Sequence, residues 1–293
     1  TRVLNIESLT KVSVEQFYGI EIEEFPARIA EAAMWLVDHQ INMKLSEKFG
    51  QAFLRLPLTE SAHIHHDNAL ALDWADGRAS KKRNHILGNP PFIGKAFRSK
   101  EQQKQVQQIN QNIKGGSDLD YVCCWFVKAA DYIQNTNIKV AFVSTNSITQ
   151  GEQAILLWKE LLQNKNTKII FAHRTFKWTI DEKKAKGMRV ASVFVVIIGF
   201  SVKEGAQKYL FEYETLVSDP VKIEVKNISQ YLTNNPAIFI SGRRQHIQGN
   251  FVPKLVFGNM PNDGGHLIFT KKEKTDFLHM EPGAEKYIRP FLG

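Results

Sequence analysis

Ile86-Leu87-Gly88-Asn89-Pro90-Pro91-Phe92-Ile93-Gly94 is the stretch on which the reading of this chain turns. An apolar run leaves His85 as a short strand and ends in an amide side chain, two prolines and an aromatic ring. Asn89 Oδ1 and the Pro90 carbonyl can both accept hydrogen bonds from one planar NH2 group, and the fixed φ of proline keeps such acceptors in place. Phe92 can stack on the ring that carries the amino group, as flipped-out bases are held. Two accepted protons push the nitrogen toward a tetrahedral form with a free lone pair. The same tetrapeptide also reads as a strand followed by a stiff turn, because Asn-Pro is an ordinary turn signal.

The chain around this stretch can bury a substantial core. Its 293 residues are 43% hydrophobic, enough for one large domain or two smaller ones. No run approaches the roughly 18 apolar residues of a membrane helix, and the first residues show no charged-then-apolar leader, so a cytoplasmic address is expected. The only cysteines, Cys123 and Cys124, are adjacent. They suit neither an ordinary disulfide nor a zinc cluster and read as buried thiols; no metal is expected. Charge is uneven: residues 1–77 hold 6 Lys+Arg and 12 Asp+Glu, while the whole chain is +8. The basic part begins just before the Asn-Pro-Pro-Phe turn, which fits phosphate contact or a solvated surface.

Upstream, residues 16–22 read as a short strand ending in Glu21. Residues 23–45 follow as an amphipathic helix with Pro26 in its first turn and Ile29, Ala33, Leu36 and Val37 on an inward face. A carboxylate that ends a strand ahead of a helix can grip ribose hydroxyls, or simply offset the helix dipole. Residues 61–70 read as a second short strand and turn. His63 and His65 share one face of it while His66 points away, which makes solvated histidines the better reading than a metal set. Asp67, with Asn68 beside it, is placed to accept from the amino group of a cofactor adenine, although Asp-Asn is also common in plain turns.

Downstream, residues 98–114 form a polar, Gln-rich stretch expected to be a mobile loop or helix beside the site. Helices over 120–133 and 151–162 and strands over 139–144, 169–173 and 190–200 alternate, which argues for a mostly parallel α/β sheet; the last two strands suit an antiparallel hairpin. Phe176 and Trp178, read here as loop residues, supply either a second wall for a base pocket or cover for the sheet edge. Asp181-Glu182-Lys183-Lys184 reads as a solvated charge run rather than half of a nuclease site. Beyond residue 201 the character changes, with Arg243-Arg244 and a Gly/Asn/Pro-rich loop over 257–266.

Asn89-Pro90-Pro91-Phe92 resembles the catalytic motif of amino-group DNA methyltransferases. Tyr18-Gly19-Ile20-Glu21, His66-Asp67-Asn68 and Asn89-Pro90-Pro91-Phe92 stand in the order of motifs II, III and IV of the class I enzymes, and residues 118–126, 140–146 and 191–200 stand where motifs V, VI and VIII fall. Residues 25–31, 171–176 and 257–265 resemble the MmeI-like (type IIL/IIG) restriction-modification enzymes, over nearly the whole chain. The resemblance implies an α/β, Rossmann-like methyltransferase sheet over residues 1–200. A linker and the beginning of an α+β target-recognition domain would fill residues 201–293. It implies S-adenosylmethionine as cofactor, with Glu21 on its ribose and Asp67 or Asn68 on its adenine. Asn89, Pro90, Pro91 and Phe92 would act on the N6 of a flipped adenine in double-stranded DNA, with Phe176 walling the base and Arg243, Arg244 and Asn259 as candidates for DNA contact.

One departure stands out. The Gly-rich cofactor loop that precedes motif II in the family has no counterpart in residues 1–16, which contain no glycine. The chain is therefore expected to be an excised piece lacking the first strand of its sheet, binding the cofactor weakly or not at all and inactive alone. The alternatives are a protein-glutamine or RNA methyltransferase, whose substrates offer a similar NH2, and a DNA-binding specificity module without catalysis.

Overall fold

The computed structural model describes residues 12–50, 61–74, 84–178, 193–205, 207–239, 265–266 and 268–290. Two short strands come first: β1 (Tyr18–Glu21) and β2 (His63–His66) pair in parallel, with Glu21 opposite His66. Between them α1 (Glu24–Phe49) is a 26-residue helix closed by Gly50 in the left-handed region. Its inward stripe is not realised: Ile29, Leu36 and Val37 are exposed, and among its residues only Ala27 and Asn42 are buried. A two-stranded sheet is too narrow to cover so long a helix.

Among the described residues the main sheet has six strands. These are β3 (His85–Gly88), β4 (Lys139–Thr145), β5 (Lys168–Trp178), β6 (Val193–Ser201), β7 (Lys208–Tyr213) and β8 (Pro220–Val225), in the order β3-β4-β6-β5-β7-β8. The pairings run β3, β4, β5 and β7 in one direction and β6 and β8 against them. The four like-directed strands therefore end on one edge of the sheet, where Asn89 follows β3. As the Val/Ile-rich run of β6 implies, that strand is central, antiparallel to both β4 and β5.

Among the described residues α2 (Lys100–Ile109), α3 (Cys123–Tyr132) and α4 (Gly151–Lys159) accompany this sheet, the last extended by a π-turn over Glu160–Asn164. Alternation along β4 and β6 sends Val140, Phe142, Val196, Ile198 and Phe200 into the core that α3 and α4 cover. Phe126 of α3 stacks on Phe200 at 5.8 Å and meets Phe142 edge-on at 5.2 Å. Each such side chain, fully buried, contributes about 1.5–3 kcal/mol. Cys123 lies in this core and Cys124 in a second cluster with Leu70, Val106 and Tyr121, both as free thiols, and burial pushes Cys124 up to about 12 and Cys123 well above its ordinary value.

The contacts divide the chain into Thr1–Ile240, which contains everything above, and Ser241–Gly293. In the second unit α5 (Lys271–Met280) opens with a capping box in which Thr270 and Glu273 satisfy each other's backbone amides, and Phe269 stacks on Phe277 at 5.0 Å. Among the described residues no helix is long and apolar enough to cross a membrane.

Candidate active site

The β3 strand ends at Gly88 and delivers Asn89 to the carboxyl edge of the sheet. Gly88 lies against the Phe142 ring so closely that a Cβ would stand 3.1 Å from it. Pro90 is buried and Phe92 is half-buried against the core, so the turn is anchored on both sides of the exposed Pro91. Asn89 itself is exposed, and its amide makes no hydrogen bond among the described residues. A rigid turn thus presents an uncommitted acceptor.

The segment after this turn is clamped to its neighbours. The Tyr121 amide donates to the Ile93 carbonyl at 3.1 Å. Lys95 pairs with Asp118, and Arg98 donates to the Leu119 carbonyl at 2.6 Å, the Ser117 carbonyl at 3.2 Å and Gln103 Oε1 at 3.2 Å. Ser147, just past β4, donates to Asp120 Oδ2 at 2.7 Å, and the Asp120 amide donates to Gln153 at 3.0 Å. The segment expected to be a mobile loop or helix is α2, begun by a Ser99/Gln102 capping box.

At the common end of β1 and β2, Glu21 and Asp67 are neighbours. The Asp67 amide donates to the Glu21 carbonyl at 2.9 Å, and Glu21 Oε1 accepts from the Glu23 amide at 3.1 Å. Asp67 Oδ1 accepts from the Asn68 amide at 2.6 Å. Asn68 Oδ1 is committed to the Leu70 amide at 2.9 Å, which closes an Asx turn. Of the two adjacent candidates, Asp67 therefore keeps the freer acceptor. Two of the histidines of β2 have local partners: His63 stacks on Tyr18 at 4.6 Å, and His66 Nε2 lies 3.0 Å from the Ile22 carbonyl.

Residues 68–74 are held from α3. Lys128 Nζ donates to the carbonyls of Leu70 at 2.7 Å and Leu72 at 2.5 Å and stands 5.6 Å from the Trp74 ring, whose Nε1 donates to the Ala69 carbonyl. Burial lowers the Lys128 pKa. Sequence reasoning missed this lysine, although a single cation inside the apolar run over residues 122–133 was the available signal.

Phe176 and Trp178 are not loop residues: both belong to β5, which pairs with β6 out to Trp178 opposite Val193. The ladder continues because β6 supplies partners for the whole length. Phe176 lies with His173, Phe211 and Tyr213 in a row of rings on β5 and β7. Arg243, Arg244, Asn259 and the charge run over 181–184 lie outside the described residues.

Comparison with protein families matches residues 1–212 to "MmeI, DNA-methyltransferase domain". The chain belongs to this family. A second MmeI description, the target recognition domain, matches residues 234–293. Among solved structures, that of the type IIL restriction-modification enzyme MmeI in complex with DNA is similar, with a TM-score of 0.88 and 48% identity over 100% of this chain and 38% of that one. Among curated proteins, DNA methyltransferase A of Bacillus subtilis (strain 168) is 40% identical over 286 residues, 96% of this chain and 31% of that protein. The chain thus spans about a third of the length of these two proteins. Glu21, Asp67 and the Asn89 turn all lie within the residues matched to the methyltransferase domain.

Proposed function

We propose that this chain carries the methyl-transferring portion and the start of the target-recognition portion of a DNA adenine-N6 methyltransferase in a restriction-modification enzyme. The observation that carries the reading is Asn89, an exposed and uncommitted amide at the carboxyl end of β3, beside buried Pro90 and half-buried Phe92. Asn89 Oδ1 and the Pro90 carbonyl accept the two amino protons of the target adenine, turning the nitrogen lone pair out of the ring plane. Phe92 stacks on one side of the base and Phe176 on the other. Phe92 follows β3 and Phe176 lies on β5, strands that β4 and β6 separate in the sheet order.

S-adenosylmethionine is the proposed methyl source, and when bound it supplies a methyl carbon activated by the adjoining sulfonium. The donor chemistry of this chain fits its nucleoside half: Glu21 offers carboxylate oxygens to ribose hydroxyls and Asp67 accepts from the adenine amino group, with Asn68 shaping the turn. Residues 1–16 contain no glycine and so offer no Gly-rich loop for the methionine half, and this chain alone is proposed to bind the cofactor weakly. Residues 1–200 supply the chemistry. Residues 201–293 supply a linker and the recognition segment, with Arg243, Arg244 and Asn259 as contacts to double-stranded DNA.

The test is methyl transfer from radiolabelled S-adenosylmethionine to duplex DNA by the full-length protein, with nucleoside mass spectrometry of the product. N6-methyladenine is expected, and Asn89→Ala is expected to lower kcat by at least about 100-fold, the loss typical of a removed transition-state hydrogen bond. A labelled protein or RNA substrate instead, or wild-type turnover in Asn89→Ala, would overturn the reading.

A further inference from the structure

The ladder between β5 and β6 slips where the proposed base wall sits. His173 pairs with Ile197 and Phe176 with Val195, three steps along β5 against two along β6. In a regular strand, residues three apart face opposite sides. The extra residue turns Phe176 onto the side of the sheet that holds His173, as bulges near functional sites commonly re-aim a side chain.

On that side the ring finds a built support. Tyr213 of β7 stacks on Phe176 with centroids 4.9 Å apart and planes 20° from parallel. The Tyr213 hydroxyl lies 2.7 Å from His173 Nδ1. His173 is in turn fixed face to face on Phe211, at 4.1 Å and 2°, and the pairing of His173 with Phe211 across β5 and β7 sets both rings at one level. Phe211, His173, Tyr213 and Phe176 form a chain in which each ring limits the next. Tyr213 occupies one side of the Phe176 ring, and Trp178 is tilted 44° to that ring at 6.2 Å.

Resting on the base-wall reading of Phe176, we propose that Tyr213 and His173 are positioning residues for methyl transfer. Tyr213 backs the Phe176 ring and His173 locks the Tyr213 hydroxyl, so that Phe176 offers its remaining side to the flipped adenine at a fixed angle. Neither residue touches the base. Their contribution passes through Phe176, and a misplacement of the order of 1 Å at such a wall costs up to about 100-fold in rate.

The experiment measures kcat and KM for duplex DNA in the full-length protein, with 2-aminopurine fluorescence at the target base as a reporter of its stacking. Phe176→Ala, Tyr213→Leu, Tyr213→Phe, His173→Gln and the double variant Phe176→Ala/Tyr213→Leu are compared. Tyr213→Leu is expected to lower kcat about 10-fold with KM changed less than about 3-fold, and to shift the 2-aminopurine emission. Tyr213→Phe, which keeps the stack and loses only the hydroxyl, should show a smaller loss matched by His173→Gln. In the Phe176→Ala background Tyr213→Leu should cost nothing further, because the ring it supports is gone. Full additivity of the two substitutions would overturn the positioning role while leaving the base wall standing. Wild-type kcat and emission in Phe176→Ala would remove the base wall itself, and the positioning role with it. If Tyr213→Leu fails to fold, Tyr213→Phe decides: unchanged kcat and emission would overturn the proposal.

Discussion

Lys128→Met tests whether α3 restrains the turn beside Asp67, the proposed cofactor contact. Methionine keeps the length and apolar stem of lysine but removes the ammonium that donates to the Leu70 and Leu72 carbonyls. A hydrogen bond from a charged donor contributes about 1.5–3 kcal/mol net. Lys128 is only half-buried, and water can replace part of what is lost at each carbonyl, so a total near 2 kcal/mol is expected rather than the sum of two full bonds. That cost falls on residues 68–74, which the Asn68 turn, the Trp74 bond to Ala69 and the burial of Leu70 and Trp74 also hold. The amides of Leu70, Ala71 and Leu72, which donate to Asn68, should exchange with deuterium about 30-fold faster, while amides of β4 and β6 change much less. Asp67 Oδ1 accepts from the Asn68 amide at the start of this loop, so under the proposed cofactor role nucleoside affinity in the full-length protein should fall in parallel. Unchanged exchange at Leu70, Ala71 and Leu72 would refute the view that Lys128 restrains the turn.

The same packing has other consequences. A Cβ at Gly199 would stand 2.1 Å from the Phe171 ring, so Gly199→Ala must drive Phe171 aside; overpacking of this kind costs about 1–3 kcal/mol, read as a lower urea midpoint with unchanged slope. Burial lowers the His173 pKa below its ordinary 6.5, so the unfolded chain takes up this proton first and the fold loses stability as pH drops through 6.5. Thermal melting from pH 8 to pH 5 should therefore show a steeper acid-side fall for the wild-type protein than for His173→Phe, which cannot be protonated; parallel curves would contradict the assignment.

The candidate site was proposed from the sequence where its chemistry is written into consecutive residues. Two prolines after Asn89 impose a stiff turn whatever surrounds them, and a strand that ends in Glu21 or Asp67 announces its carboxylate locally. Helix and strand identities followed from periodicity for the same reason: alternation in β4 and the apolar face of α3 are properties of neighbouring residues. Long-range choices were hidden. The stripe of α1 is the right period for burial, yet whether Leu36 and Val37 find a partner depends on what the fold sets opposite them. Phe176 read as a loop residue because nothing nearby in sequence reveals that β6 extends the ladder to Trp178, or that one slipped partner reverses the face of a ring. Lys128 is joined to carbonyls 56 and 58 positions away, a distance at which no local pattern carries information. Strand ends and turn chemistry are decided by local sterics and hydrogen bonding in the chain itself, whereas facing, register and support arise from which surfaces the folded chain brings together.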